Sequence, residues 1–183
     1  MKKKFLMTAT VPSMIGQFNM ENIKILLNMG YEVDVACNFK DRSVWTDEKE
    51  AAFEKQLSEL HVRKIQIEYA RSPYHVLKLI KSYLELKKLI RREGYTGLHC
   101  HTPVAAAVTR LAVKKAGIGT KVIYTAHGFH FYKGAPLHNW LIYYPIEKWL
   151  SKYTDVLITI NKEDYQRAKK KFHAKKTEYI PGV

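Results

Sequence analysis

The densest group of side chains able to do chemistry is the run Tyr124-Thr125-Ala126-His127-Gly128-Phe129-His130-Phe131-Tyr132-Lys133-Gly134. His127 closes an apolar, β-forming stretch. Gly128 follows it directly, which permits an unusual backbone or a close approach by a ligand. An imidazole here can give or take a hydrogen bond or a proton near neutral pH. A half-buried histidine bonded to a carbonyl would also fit, but a loop so rich in hydrogen-bonding and stacking groups favours a ligand role. A second group is His99-Cys100-His101-Thr102-Pro103. In a strand, His99 and His101 share one face. As a metal pair they need a third ligand nearby, and no acidic residue stands out. The stronger reading gives His101 and Thr102 a polar role at a strand tip, with Pro103 opening the next helix.

The third group is the segment from Thr10 to Phe18, read as a loop with a single glycine, Gly16. It lacks the three glycines of a dinucleotide fingerprint and the Gly-Lys-Ser/Thr of a phosphate loop, which weighs against nicotinamide, flavin and ATP. Gly16 either opens the following helix, whose free N–H groups would face an anion, or is a simple turn glycine. Asp34, Asp41, Asp155 and Glu163 are scattered, so no catalytic carboxylate pair is evident. Neither a Gly-x-Ser-x-Gly elbow nor a His-Glu-x-x-His zinc motif occurs. The chain reads as built to bind, with His127 its one obvious chemical group.

These groups sit at the ends of apolar segments that alternate with longer amphipathic ones. Strands are expected at Lys4–Thr10, Tyr31–Cys37, Val62–Ile67, Leu98–Thr102, Lys121–Ala126, Val156–Ile160 and Thr177–Ile180. Helices are expected at Asn19–Met29, Asp47–Leu60, Pro73–Arg92, Val104–Ala116, Leu137–Leu150 (kinked at Pro145) and Lys162–Phe172. Connections this long suit crossovers and not hairpins. The pattern predicts a Rossmann-like three-layer α/β/α sandwich with a mostly parallel sheet of about seven strands. Ligands of such sheets sit outside the carboxyl ends of the strands. That rule nominates the loops Val11–Phe18, Asn38–Ser43, Ala70–Tyr74, His101–Pro103, His127–Gly134 and Asn161–Glu163.

The chain has 183 residues, with 31 Lys and Arg against 17 Asp and Glu, a formal charge of +14, and 46% hydrophobic residues. This excludes a disordered tail and suits one domain, 1–183, with a sizeable core. The closing Tyr179-Ile180-Pro181-Gly182-Val183 reads as a strand followed by a turn, as at a linker, so a longer protein is expected. Cys37 and Cys100 lie far apart in apolar runs and read as reduced core thiols. The lysines after Met1 imitate a signal peptide, but no cleavage site follows. No run approaches the roughly 18 apolar residues that span a bilayer.

So positive a chain invites an anionic partner: nucleic acid, a membrane surface or a phosphorylated small molecule. On the helix Pro73–Arg92, Lys78, Lys81, Lys88 and Arg92 fall on one face, with Val76, Ile80, Tyr83 and Ile90 toward the sheet. With Lys2–Lys4 and the basic Lys162–Lys176, they suit an anionic membrane, and Trp140–Tyr144 and Trp149 suit either interfacial anchors or a core. No nucleic-acid motif is evident, so nucleic acid is not expected.

Tyr124–Pro136, "YTAHGFHFYKGAP", resembles the N-terminal domain of bacterial family 4 glycosyltransferases of capsular and exopolysaccharide synthesis. Leu98–Pro103, Ile146–Phe172 and the closing "YIPGV" extend the resemblance over essentially the whole chain. It implies the N-terminal, acceptor-binding half of a two-domain GT-B fold, with a donor-binding C-terminal domain beyond this chain. The implied activity is retaining, metal-independent transfer from a nucleotide-sugar, a UDP-sugar by expectation, to a lipid-linked or oligosaccharide acceptor. No cofactor is held tightly. The implied location is cytoplasmic, peripheral at the inner membrane face.

Carried onto this chain, the resemblance makes His127 catalytic, beside the reacting sugar. Gly16 and Gln17 would contact the donor diphosphate or the acceptor, although this first loop has one Gly where many relatives carry two. His101, Thr102, Gly128, Phe129, His130 and Asn161 would line the acceptor side. Lys78, Lys81, Lys88 and Arg92 would face the membrane. A non-catalytic module binding anionic lipid, polysaccharide or nucleic acid is the alternative.

Overall fold

The computed structural model describes residues 3–181. Lys2 of the N-terminal basic run and Gly182-Val183 of the closing turn lie outside the described residues. Seven parallel strands form one sheet: β1 (Lys4–Thr8), β2 (Glu32–Cys37), β3 (Arg63–Gln66), β4 (Gly97–His101), β5 (Lys121–Ala126), β6 (Val156–Thr159) and β7 (Lys176–Tyr179). Their order is β3-β2-β1-β4-β5-β6-β7. The helices are α1 (Pro12–Phe18), α2 (Met20–Asn28), α3 (Asp47–Glu59), α4 (Val76–Glu93), α5 (Pro103–Ala116), α6 (Leu137–Leu150) and α7 (Lys162–Lys171). The fold is the expected Rossmann-like α/β/α sandwich.

The order turns back on itself at β1, so the winding reverses there. With crossovers of a single hand, the helices before β3 and those after it must take opposite faces. The two cores agree. Phe5, Met7, Val33 and Val35 pack under Ile15, Ile23, Phe53 and Leu57 of α1 to α3. Leu6, Leu98, Val122 and Leu157 pack under Leu86, Leu89 and Ile90 of α4 and the alanines of α5. Consecutive residues of β1 thus serve opposite cores, as the pleat requires. The two edge strands carry Arg63, Lys64, Lys176 and Glu178, charges that discourage further strand pairing.

Two local expectations need correction. The segment after β1 is not a loop. Pro12 sits at the start of α1, where its fixed φ and missing N–H cost nothing. Asn19 then joins α1 to α2, its side-chain amide donating to the carbonyl of Met14 at 3.2 Å. Gly16 is therefore neither a turn glycine nor the opening residue of the following helix. It lies within α1, and a Cβ on it would stand 2.3 Å from the ring of Trp45.

The second correction concerns α4. It starts at Val76, and its buried residues are Ser82, Leu86, Leu89 and Ile90. Val76 and Ile80, expected against the sheet, are 57% and 51% exposed. The first two turns of α4 instead border a groove shared with α5 and α6. Pro145 lies within α6, which continues through it.

Candidate active site

The loops leaving β1 and β4 diverge toward opposite faces, opening the crevice that parallel sheets use for ligands. Thr102, at the tip of β4, has φ 62° and ψ 135°. A positive φ is strained for a β-branched residue, at a cost of order 1–3 kcal/mol. The extended ψ is what the following Pro103 demands. Three hydrogen bonds hold the strained residue. Its hydroxyl donates to the His101 carbonyl at 2.6 Å, accepts from the Thr10 amide at 3.1 Å, and lies 2.7 Å from the Thr10 hydroxyl.

Next to it, three histidines form a column. His99 Nε2 is 2.8 Å from the Thr125 hydroxyl, and the His99 and His101 rings stand 4.1 Å apart. His101 Nδ1 is 3.2 Å from His127 Nε2. Parallel β4 and β5 create this arrangement, because His101 pairs with Thr125 and His127 follows directly on the last residue of β5. Burial drives His99 down to about 3, assisted by His127. Burial and the two neighbouring imidazoles hold His101 well below the usual range, and burial lowers His127. All three are neutral at pH 7. His101 Nε2 is buried without a hydrogen-bond partner among the described residues. Such an orphaned atom is costly unless something fills it.

The column opens on a cleft of about 340 Å³, bordered by Gln17, Phe18, Asn22, Thr125, His127 and Ile180. The Phe18 ring lies 5.7 Å from that of His127. A second cleft of about 370 Å³ occupies the switch point itself, bordered by Thr10, Ser13, Gln17, Arg71, Thr102 and His130. Gln17 lines both. Neither cleft has a carboxylate in its lining. Their chemistry is that of neutral hydrogen-bonding groups and imidazoles, with Arg71 as a cation.

The loop carrying His127 is fastened from outside. The Phe129 amide donates to Asp164 Oδ2 at 2.9 Å, and the Lys133 amide to Glu163 Oε1 at 2.8 Å. Asn139 donates to the His130 carbonyl at 2.9 Å. Phe129 and Phe131 stack at 4.8 Å, and Phe131 packs with Trp140, Tyr144 and Phe172. Gly128, φ 118°, lets the chain turn from the strand into this anchored loop.

The expected residues divide accordingly. His101, His127, Gln17, Thr102 and His130 border the two clefts. Phe129 does not, because it is buried in the aromatic core. Asn161 is occupied as the cap of α7, accepting from the Asp164 amide at 2.8 Å and donating to its carboxylate at 2.8 Å. Gly16 faces Trp45 and Phe53. His99, Thr125, Thr10 and Arg71 were not among the expected site residues. Alternation had already put His99 on the face of His101, and Arg71 lies in a nominated loop. Among the described residues, no group of three or more His, Cys, Asp or Glu side chains is arranged to hold a metal ion.

A parallel sheet with clefts at its switch point and strand tips defines a Rossmann-like ligand-binding domain. Comparison with known proteins narrows this. The sequence profile of Glycosyltransferase Family 4 matches residues 17–182. The chain belongs to that family. It is 48% identical over 170 residues to a Bacillus subtilis (strain 168) protein named "Putative glycosyltransferase EpsD", and covers 40% of that protein. It is 25% identical over 150 residues to an Escherichia coli protein named UDP-Gal:alpha-D-GlcNAc-diphosphoundecaprenol alpha-1,3-galactosyltransferase, covering 36% of it. These matches take in 92% and 82% of this chain, respectively. The fold resembles Acinetobacter baumannii MurG, with TM-score 0.62, 12% identity, and 99% of this chain against 46% of that one. A Rickettsia africae glycosyltransferase gives TM-score 0.64 and 17% identity, with 98% of this chain against 43% of that one.

Proposed function

We propose that this chain is the acceptor-binding domain of a retaining glycosyltransferase that moves a sugar from a nucleotide-sugar, a UDP-sugar in the first instance, to a lipid-linked acceptor in cell-surface polysaccharide synthesis. The observation that carries this reading is the neutral His101–His127 pair on a cleft at the sheet's carboxyl edge. A neutral imidazole can donate to, or accept from, a sugar hydroxyl without adding charge to the cleft. His127 would lie beside the reacting sugar and orient it, and His101 would fix its tautomer and position. Thr102 and Gln17 offer further polar contacts.

In this reading a second domain supplies the donor site, and metal is not required. That the chain spans 40% and 36% of its relatives' lengths supports a further domain. The acceptor name printed for the Escherichia coli relative supports a lipid diphosphate. No helix among the described residues is long and apolar enough to cross a membrane. In this reading the protein meets its acceptor at the cytoplasmic surface, with its basic faces toward the membrane.

The test is sugar transfer by the full-length enzyme. His127→Ala should reduce transfer by about 100-fold or more while thermal unfolding is unchanged, within the range of a lost acid–base or orienting group. Unchanged transfer would remove His127 from the reaction. The isolated 183-residue chain should not turn over, because contacts from the donor domain are missing. Turnover at an ordinary enzymatic rate would contradict the two-domain reading. Binding to DNA in preference to anionic lipid would favour a nucleic-acid module instead.

A further inference from the structure

The two clefts continue into a third feature. An apolar groove of about 490 Å³ runs between α4, α5 and α6, walled by Ile80, Tyr83, Ala107, Leu111, Ile142 and Ile146. Ile80, Ile142 and Ile146 are 51%, 40% and 44% exposed, a wall that water covers poorly. Pro73, Pro103, Val104 and Tyr143 border both this groove and the switch-point cleft. Gln17 in turn joins that cleft to the histidine column. The surface therefore presents one track with an ordered chemistry: imidazoles and amides, then a cation with hydroxyls, then hydrocarbon.

The middle of the track suits an anion. Arg71 bonds the Ser43 hydroxyl and stands 3.9 Å from Asp41, so its guanidinium retains donors toward the cleft. Thr10, Ser13 and Thr102 add hydroxyls around it. The floor of the groove bears no free charge. Its one acid, Glu147, pairs with the buried Arg110 at 2.9 Å.

We infer that this track holds a single amphipathic acceptor: sugar at His127, diphosphate at Arg71, and the phosphate-proximal part of its hydrocarbon chain in the α4–α5–α6 groove. The inference rests on the acceptor role proposed above and locates the lipid within it. The argument for this occupant is the charge sequence along a continuous track. A flat membrane surface would need the apolar face but not the adjoining cation-lined cleft. A second protein copy would need neither the cation nor the histidines.

The probe is farnesyl diphosphate binding to the full-length protein, with inorganic pyrophosphate and farnesol as its separate halves. Farnesyl diphosphate should bind at least tenfold more tightly than either half. Ile80→Glu should weaken farnesyl diphosphate and farnesol at least tenfold and leave pyrophosphate unchanged. Arg71→Gln should weaken farnesyl diphosphate and pyrophosphate and leave farnesol unchanged. Both positions are exposed, and matching thermal unfolding of the variants would establish that they fold. Equal binding of farnesyl diphosphate and pyrophosphate would overturn the inference. So would an Ile80→Glu variant that loses only neutral phosphatidylcholine vesicles, or one that only changes the sedimentation mass. His127→Ala should leave farnesyl diphosphate binding intact. If that variant keeps full transfer while the Ile80 and Arg71 effects persist, the catalytic reading fails and the lipid subsite stands.

Discussion

At the level of single residues, the histidine column has a consequence for stability. His99, His101 and His127 have depressed affinities for protons in the fold. The unfolded chain takes up protons below about 6.5, where an ordinary histidine titrates, while in the fold each of the three takes its proton only at a lower pH. Their contribution to stability is complete above that value and is lost as pH falls through it. For His99, which titrates at about 3 in the fold, the loss between pH 6.5 and 5 is about 1.5 kcal/mol. Replacing His99 by Gln should remove that slope from urea unfolding curves, whatever it does to the stability at pH 7.5. A slope equal to that of the parent chain would mean that His99 is protonated in the fold. The cysteines make a simpler case. Burial pushes both thiols up to about 12. The native chain should not react with an aromatic disulfide reagent at pH 8, and unfolding should release its 2 thiols.

At the level of elements, one buried ion pair ties the helices that carry the groove. Arg110 of α5 is 1% exposed in its side chain, and Glu147 of α6 is 8%. The guanidinium also donates to the Ala106 carbonyl at 3.1 Å and lies 4.4 Å from the Tyr124 ring centroid. Removing the carboxylate leaves this cation buried without its counter-charge, so Glu147→Ala should cost about 3–5 kcal/mol. Glu147→Gln keeps an acceptor and should cost less. Urea denaturation of both variants checks the order. Gly16 gives the opposite kind of test. Alanine in a helix is worth about 1 kcal/mol over glycine. Here its methyl would meet the Trp45 ring, and such overpacking costs about 1–3 kcal/mol. Gly16→Ala should therefore destabilise and shift Trp45 emission; stabilisation would show that the ring moves freely.

These elements also mark what the sequence could disclose. Apolar alternation and long connections were enough for the sheet, its parallel sense and the loops at its carboxyl edge. The His-Gly-Phe-His string pointed to His127, and the strand-tip His-Thr-Pro pointed to its partner. The sequence did not reveal α1, because Gly16 in mid-helix imitates a turn and the reason for a glycine, Trp45, lies 29 positions away. Helical periodicity also misassigned the start of α4. A 3.6-residue pattern identifies an apolar face but not whether a sheet or open water lies opposite it. Phe129 and Asn161 look like ligand contacts in sequence, because aromatic packing and helix capping use the same residue types.

At the level of the whole molecule, the charge of +14 is distributed unevenly in its effect. The α4 face expected to meet a membrane is partly neutralised. Lys81 donates to Glu68 at 3.1 Å and Arg92 to Glu93 at 2.9 Å. Lys78 and Lys88 have no ion-pair partner among the described residues, and both are exposed. A lysine near an anionic bilayer is worth about 1 kcal/mol when its charge is free to act. A Lys78→Gln, Lys88→Gln variant should thus lose about 2 kcal/mol of binding to vesicles rich in phosphatidylserine, roughly a 30-fold weakening. Neutralising Lys81 and Arg92 should weaken binding somewhat more, because each change removes one positive charge and the loss of Lys81 also leaves Glu68, which the membrane repels, without its nearest counter-charge. Raising salt from 0.15 M to 1 M shortens the screening length from about 8 Å to about 3 Å and should abolish the difference between the two variants. Binding that survives high salt unchanged would put the apolar groove, and not the lysines, in charge of membrane contact. Loss of binding in Ile80→Glu alone would then identify that groove as the anchor.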